Sequence, residues 1–392
     1  MKKALLFLWL AACCALLGGC GGGQEIESCL FVLAMAVDPA PDGNLTVTVK
    51  ALSGTQEATG GTAAQSGNSQ DGSQPDSGLE TPEPGYIVMS ATAPSCLRAL
   101  NMLSSTTPRT VNLSQLREIV LSRTLAETDA TLSILKEIHS MYRANGEAIV
   151  VVTPDDAGDF IRRQRAILGV RLSKYLEVLF DHFAEMDTIP SDAQLASVIE
   201  AMQSDTIDAT AVYAAGNVFN SDIVLGGGAD MDRLPGHLPR TSPAENEYLG
   251  CALFSGPRMT GTLTGEETGL LMLMMGQAQR QSTFIGNALY RINLPTRVRR
   301  QIDDDGTLSV HIAMSLRQEA GEEAMTQEEI AATIEREAVS VLLRLRAASC
   351  DAAGFGRIAI RKSIDIPSWE QRNWPDEYER LGVRVSAEVT VL

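Results

Sequence analysis

The first twenty residues constrain everything that follows them. Lys2 and Lys3 precede an apolar run from Ala4 to Leu17, and Leu17-Gly18-Gly19-Cys20 comes next. This is the layout of a secretory signal closed by a lipobox. Small residues at 18 and 19 admit the peptide to a signal peptidase, and the Cys20 thiol is the atom that becomes a diacylglyceryl thioether. The run is shorter than the roughly 20 residues a membrane span needs. The expectation is therefore a lipoprotein signal peptide over residues 1–19, with Cys20 lipidated and left as the first residue. Paired acyl chains hold lastingly where one would be marginal, since each buried methylene contributes about 0.8 kcal/mol. Leu270-Leu271-Met272-Leu273-Met274-Met275, the most apolar later stretch singled out, is too short to span. The remainder is expected to fold at the outer face of the cytoplasmic membrane, held by lipid.

A chain of 392 residues exceeds what one hydrophobic core usually organises. Its 44% hydrophobic and 21% charged residues are those of globular protein. The net charge of −17 becomes −19 once Lys2 and Lys3 leave with the signal. Such a field repels phosphate backbones, so no nucleic-acid partner is expected.

Of the seven cysteines, Cys13 and Cys14 lie in the signal and Cys20 is the lipid site, leaving Cys29, Cys96, Cys251 and Cys350. These allow three pairings, or free buried thiols, and the spacing does not choose. They form no C-x-x-C, and His139, His182, His237 and His311 are scattered, so no metal or other cofactor is expected.

Past a Gly21–Gly23 tether, Leu30–Val37 and Leu45–Val49 read as strands around a turn at Asp38–Asp42. Residues 53–84 are Gly, Ser, Gln, Thr, Asp and Pro with almost no large apolar side chain, which predicts a disordered insertion. Helical spacing at Leu97, Leu100 and Leu103, a helix over Asp129–Ala144 and a strand over Ala148–Val152 complete an N-terminal α+β domain, 20–164. A middle domain, 165–278, is expected to hold helices at Ser173–Phe183 and at Ser191–Met202, the latter capped by Ser191. An extended Thr206–Phe219, a Gly/Pro-rich loop at Gly226–Pro243, a hairpin of Tyr248–Phe254 with Met259–Leu263, and a helix at Glu266–Gln277 follow.

The C-terminal α+β domain, 279–392, is the most regular. Leu289–Leu294 and Leu308–Leu316 read as strands, with Asp305-Gly306 as a hairpin turn rather than a calcium loop. Thr326-Gln327-Glu328-Glu329 is a capping box. The helix after it places Ile330, Ile334, Ala338, Val341, Leu342 and Leu345 on one face. The final strand alternates through Val383, Val385, Ala387 and Val389. The fold class is α+β, multi-domain, with mostly antiparallel sheets and a C-terminal antiparallel sheet backed by one long helix.

No G-x-S-x-G, H-E-x-x-H or phosphate loop occurs, and Gly226-Gly227-Gly228 lacks the Lys-Ser/Thr that such a loop needs. No catalytic residues are assigned. Trp369 and Trp374 are candidate partner contacts, because Trp is favoured at interface anchors. Set against this, the favoured reading is that they cover the sheet edge or core beside Pro367 and Pro375.

The order of features resembles the Ger(x)C lipoproteins, the C-subunits of spore germinant receptors. The resemblance rests on the lipobox, the Val37-Asp38 turn, the Tyr86–Ser122 segment and Tyr248-Leu249-Gly250-Cys251-Ala252-Leu253-Phe254. It continues through Gly261-Thr262-Leu263, Glu266-Glu267-Thr268-Gly269, Asp351, Gly354-Phe355-Gly356, Pro367-Ser368-Trp369 and Trp374. The chain departs from it in having Gly21-Gly22-Gly23-Gln24-Glu25 after the lipid Cys, where Trp-Asp is usual, and in the 53–84 insertion. The resemblance implies a three-domain, non-enzymatic lipoprotein. It would sit on the outer face of the inner spore membrane and assemble with A-type and B-type integral membrane subunits. An extracytoplasmic solute-binding lipoprotein is the alternative.

Overall fold

The computed structural model describes residues 28–53, 85–141, 144–166, 171–217, 233–238, 246–321, 325–363 and 365–392. Cys20 and its signal, nearly all of the 53–84 insertion and most of the Gly226–Pro243 loop lie outside these residues.

A nine-stranded sheet is built first. Its strands are β1 (Cys29–Pro39), β2 (Leu45–Leu52), β3 (Tyr86–Ala93), β4 (Thr110–Asn112), β5 (Glu118–Ser122), β6 (Ile149–Thr153), β7 (Thr210–Gly216), β8 (Asn246–Ser255) and β9 (Arg258–Leu263). They lie in the order β3-β2-β1-β5-β6-β7-β8-β9, with β4 also on β1. Helices α1 (Cys96–Ser104), α2 (Thr131–Ser140), α3 (Ala157–Arg163), α4 (Leu172–Glu185) and α5 (Leu195–Met202) connect them. Ile119, Leu121, Val150 and Val152 face a core shared with α1, α2 and α5. The alternate residues Val120, Val151 and Val212 face a second core under α3 and α4. Strands covered on both faces need apolar side chains at every position, which explains unbroken runs such as Ile149-Val150-Val151-Val152.

Pairing is parallel in the middle of this sheet (β1–β5, β5–β6, β6–β7) and antiparallel towards both ends. The parallel centre follows from the intervening helices, which return the chain to the same edge. Strands β2 and β3 form a hairpin with Leu52 opposite Tyr86, and the Ser53 N–H donates to the Gly85 carbonyl at 3.0 Å. The ends of the insertion therefore sit one hydrogen bond apart. Helix α5 starts later than expected, at Leu195. Gln194 rather than Ser191 occupies its cap position, with no side-chain cap bond.

The second sheet, β10 (Ser282–Ile285), β11 (Ala288–Ile302), β12 (Leu308–Ala320) and β13 (Val383–Val391), lies in that order. Helix α6 (Gly265–Met275) leads into it, and α7 (Gln327–Ala347) lies along it. The buried residues of α7 are those expected from its spacing, and its capping box is made: the Thr326 hydroxyl accepts from Glu329 N, while the Glu329 carboxylate accepts from Thr326 N. One expectation for this sheet is corrected. Strand β13 joins β12 in parallel, Leu308 opposite Val383 through Leu316 opposite Val391, because α7 carries the chain back before the last strand begins. Alternation in β13 is the same for either direction, so the sequence pattern could not distinguish them. The fold is mixed α+β, and residues 165–278 supply three strands to the first sheet and α6 to the second core.

Candidate functional site: a buried joint and an adjoining cleft

Short helices α8 (Ile366–Arg372) and α9 (Trp374–Tyr378) close the C-terminal half over Asp351. The Asp351 carboxylate accepts the backbone N–H groups of Phe355 at 2.9 Å and Gly356 at 2.6 Å, and the Trp374 indole N–H at 3.0 Å. It thereby fixes the turn that leads into the short helical segment Gly356–Ala359. Gly354 has φ +71°, a left-handed conformation. At Gly356 a Cβ would stand 2.6 Å from the Thr206 carbonyl oxygen and 2.7 Å from Trp374 Nε1. Gly-Phe-Gly is thus a requirement of close approach. From the segment between α5 and β7, Asp208 accepts the Asp351 N–H at 2.7 Å and the Gly256 N–H at 3.0 Å, and Asp205 accepts the Trp369 indole N–H at 2.6 Å. Burial pushes Asp351 up to about 7, and Asp208 is raised for the same reason.

Trp369 and Trp374 are therefore placed inside, 3% and 4% exposed, with ring centroids 5.9 Å apart and Tyr378 beyond. Each indole face and N–H is engaged within this chain, so the sheet-and-core covering role is the one the geometry gives them.

A second junction lies at the foot of α4. Asp187, at φ +55°, accepts the Gln279 N–H at 2.9 Å and the Arg280 N–H at 2.9 Å. The Arg280 guanidinium donates to the Met186 carbonyl at 3.0 Å and to Glu266 at 2.7 Å. Gly269 leaves room for it, since a Cβ there would be 3.0 Å from Arg280 Nη2. Thr264 and Glu267 form a capping box on α6, and Glu267 also takes Arg344 of α7. Thr268 returns its hydroxyl to the Thr264 carbonyl at 2.8 Å. The Glu266-Glu267-Thr268-Gly269 motif is in this way a set of fixings between α6, the chain leaving it and α7. They wall a cleft of about 500 Å³ whose floor includes Leu270, Leu273, Ile285, Met314 and Ile334, with Phe284, 60% exposed, among its lining residues.

The sequence reading missed a third cluster, inside the first sheet. Glu118 accepts the Gln164 amide at 2.6 Å and the Tyr248 hydroxyl at 3.1 Å, and Lys50, 2% exposed, donates to the Gln164 carbonyl. Burial pushes Glu118 up to about 7 and Tyr248 well above its ordinary range. Lys50 within Val47-Thr48-Val49-Lys50-Ala51, an ion in an otherwise apolar strand, was the signal that could have found it. Asp38 is also structural: its two oxygens accept the Ala157 and Gly158 N–H groups at 2.8 and 2.9 Å and anchor the start of α3.

Cys29, Cys96, Cys251 and Cys350 are buried and are not joined in disulfides. Burial raises Cys96 and Cys251 to about 12 and Cys350 well above its ordinary value, so these thiols are poor nucleophiles. Among the described residues no three His, Cys, Asp or Glu side chains are grouped to hold a metal ion, and no helix is long and apolar enough to cross a membrane. The acids named above accept backbone or indole N–H groups, or bind neighbouring side chains.

Residues 22–215 match the family described as spore germination protein N-terminal domain, and 249–392 match the spore germination B3/GerAC-like C-terminal family. The second match starts within β8, so the β8–β9 hairpin of the C-terminal segment completes the N-terminal sheet. A Bacillus subtilis (strain 168) protein named as a spore germination protein, YfkR, is 21% identical over 402 residues, covering 96% of this chain and 93% of that one. The crystal structure of the GerBC protein aligns with a TM-score of 0.47 at 12% identity, covering 91% of this chain and 96% of that one. With both family segments matched in order along most of its length, the chain belongs to the Ger(x)C family, the C-subunits of spore germinant receptors.

Proposed function

We propose that the protein is a lipid-anchored, non-enzymatic subunit of a germinant receptor. In this reading it stands on the outer face of the inner spore membrane through a diacylglyceryl group on Cys20, and serves as a scaffold for the A- and B-type integral subunits. The observation that carries this reading is the way the two halves are welded. A hairpin from the C-terminal segment completes the N-terminal sheet, and the Asp208 and Asp187 carboxylates accept backbone N–H groups across the seams, that of Asp351 among them. Carboxylates used in this way stiffen a body, because their lone pairs are taken up by backbone N–H groups. Confinement to the membrane surface raises the effective concentration of a weakly bound integral partner, so the anchor should matter more than any single surface contact.

Affinity purification from spore membranes tests this. The wild-type chain should recover two multi-spanning proteins, and Cys20→Ala should abolish diacylglycerol labelling and reduce that recovery by more than tenfold. Continued labelling of Cys20→Ala would overturn the anchor, and recovery of no membrane protein by the labelled wild type would overturn the scaffold. The cleft beside α6 favours one second reading, a solute-binding lipoprotein, because it pairs an apolar floor with a polar rim. A soluble ligand retained by the purified chain and lost on Leu273→Arg would establish that reading instead.

A further inference from the structure

The second sheet has two unlike faces. One packs on α7. The other is open, and it carries Arg291, Arg297 and Arg299 on β11, His311 and Arg317 on β12, and Arg384 on β13, all exposed. This is a concentration of cations in a chain whose net charge is −17. Register places Arg291 directly opposite Arg317, and Arg299 opposite His311. Arg291 against Arg317 is a like-charge cross-strand pair, which destabilises a sheet, so the arrangement gains from an external anion. Neutralisation from within is partial: Arg291 pairs with Glu319 at 2.7 Å, Arg384 with Asp303 at 3.1 Å and Asp305 at 3.7 Å, and Glu388 stands 4.0 Å from the His311 ring. Among the described residues Arg297, Arg299 and Arg317 make no ion pair. Between Arg299, His311 and Arg384 the face dips into a hollow of about 350 Å³, lined also by Ser309, Ser386, Gln301, Val310 and Asp303. The His311 ring nitrogen and the Ser386 hydroxyl lie 2.9 Å apart within it.

We propose that this open face lies against anionic phospholipid headgroups, with the Arg299–His311–Arg384 hollow seating a phosphate. The background between the cations is Ser309, Ala313, Ser315, Ser386 and Thr390, with one carboxylate, Glu388 opposite Ala313, and no aromatic or large apolar centre of the kind a protein interface buries. A layer of phosphates needs no such centre, and each basic side chain near an anionic bilayer adds roughly equal attraction. Leu294, 42% exposed and between Asn293 and Arg297, is placed for shallow insertion among the headgroups. The whole molecule, being acidic, would be repelled by such a surface, so attraction must come through this face. The inference takes its setting from the membrane location proposed above, but its test does not depend on Cys20.

The test is flotation of the unlipidated chain from Gly21 to Leu392, which keeps every described residue, with vesicles of phosphatidylcholine alone or with one-third phosphatidylglycerol. At low ionic strength the chain should bind only the anionic vesicles and be released by high salt. Replacing Arg297, Arg299 and Arg317 with Gln should weaken binding roughly a hundredfold, at about fivefold per residue. Arg98→Gln with Lys136→Gln, on exposed positions of α1 and α2, should leave it within twofold. Equal binding to both vesicle types, no binding to anionic vesicles, or undiminished binding by the triple variant would overturn the proposal. Salt release of the parent chain needs no variant and so stands even if the triple variant misfolds. A chain that binds anionic vesicles here but is never labelled at Cys20 would defeat the proposed anchor and leave this face standing.

Discussion

Glu118 in the first sheet and Asp351 at the joint are both buried carboxyls pushed up to about 7, yet they are held by opposite means. Glu118 is surrounded by side chains, Gln164, Tyr248 and the nearby Lys50, whereas Asp351 binds two backbone N–H groups and one indole. Side chains can repack around a changed neighbour, but backbone donors cannot follow. The joint should therefore be the less forgiving of the two, although neither is more exposed than the other to any useful degree.

The largest effect should follow Asp351→Ala, which strands the Phe355, Gly356 and Trp374 donors. With each unsatisfied buried group costing about 1–3 kcal/mol, the loss should be on the order of 3–5 kcal/mol. Denaturant unfolding would measure it. Glu118→Gln, which keeps the shape and can still bond Tyr248, should cost much less at neutral pH, and equal losses at the two sites would break the comparison.

Titration sharpens it further. A carboxyl whose pKa rises from 4.5 to about 7 on folding binds a proton in the folded state where the unfolded chain does not. Its contribution is full below about 4.5 and is lost as pH rises through about 7, a total of roughly 3 kcal/mol. Stability of the wild type should fall across that window, and Glu118→Gln should flatten the slope by one proton's share. A slope unchanged in Glu118→Gln, measured by unfolding at pH 5, 6, 7 and 8, would show that Glu118 is not its source.

Smaller still should be the effect of replacing residues 54–84 with a short turn. The ends meet at Ser53 and Gly85, and each halving of a flexible loop changes its closure cost by only about 0.6 kcal/mol. Three halvings give a gain below about 2 kcal/mol, visible as a slightly raised melting temperature, whereas a drop of many degrees would mean the segment packs against the fold. The native cysteines should show the least change of all. Four of them are buried, so Ellman's reagent should find them unreactive until the unlipidated chain is unfolded.

What was legible in the sequence was local. The buried face of α7 and its capping box follow from spacing within one helix, and the β8–β9 hairpin follows from alternation around Ser255-Gly256-Pro257. The joint was not legible, because it depends on Asp208 meeting Asp351 across 143 residues of chain, and nothing near either residue reports the other. The same holds for Glu118 and Tyr248, 130 residues apart. The parallel attachment of β13 was hidden because a strand alternates identically in either direction. Trp369 and Trp374 could be read as anchors or as cover, and only the partners of their N–H groups, Asp205 and Asp351, separate these. The cationic face was overlooked because Arg297, Arg299, Arg317 and Arg384 converge only when three strands are laid side by side.

The central claim is that this chain organises a receptor without itself recognising the nutrient. Isothermal titration of the unlipidated chain with amino-acid, sugar and nucleoside germinants tests that claim most directly. The account predicts no heat of binding at millimolar ligand, while the assembled receptor binds. Micromolar affinity of the isolated chain for any germinant, abolished by Leu273→Arg in the cleft, would contradict it.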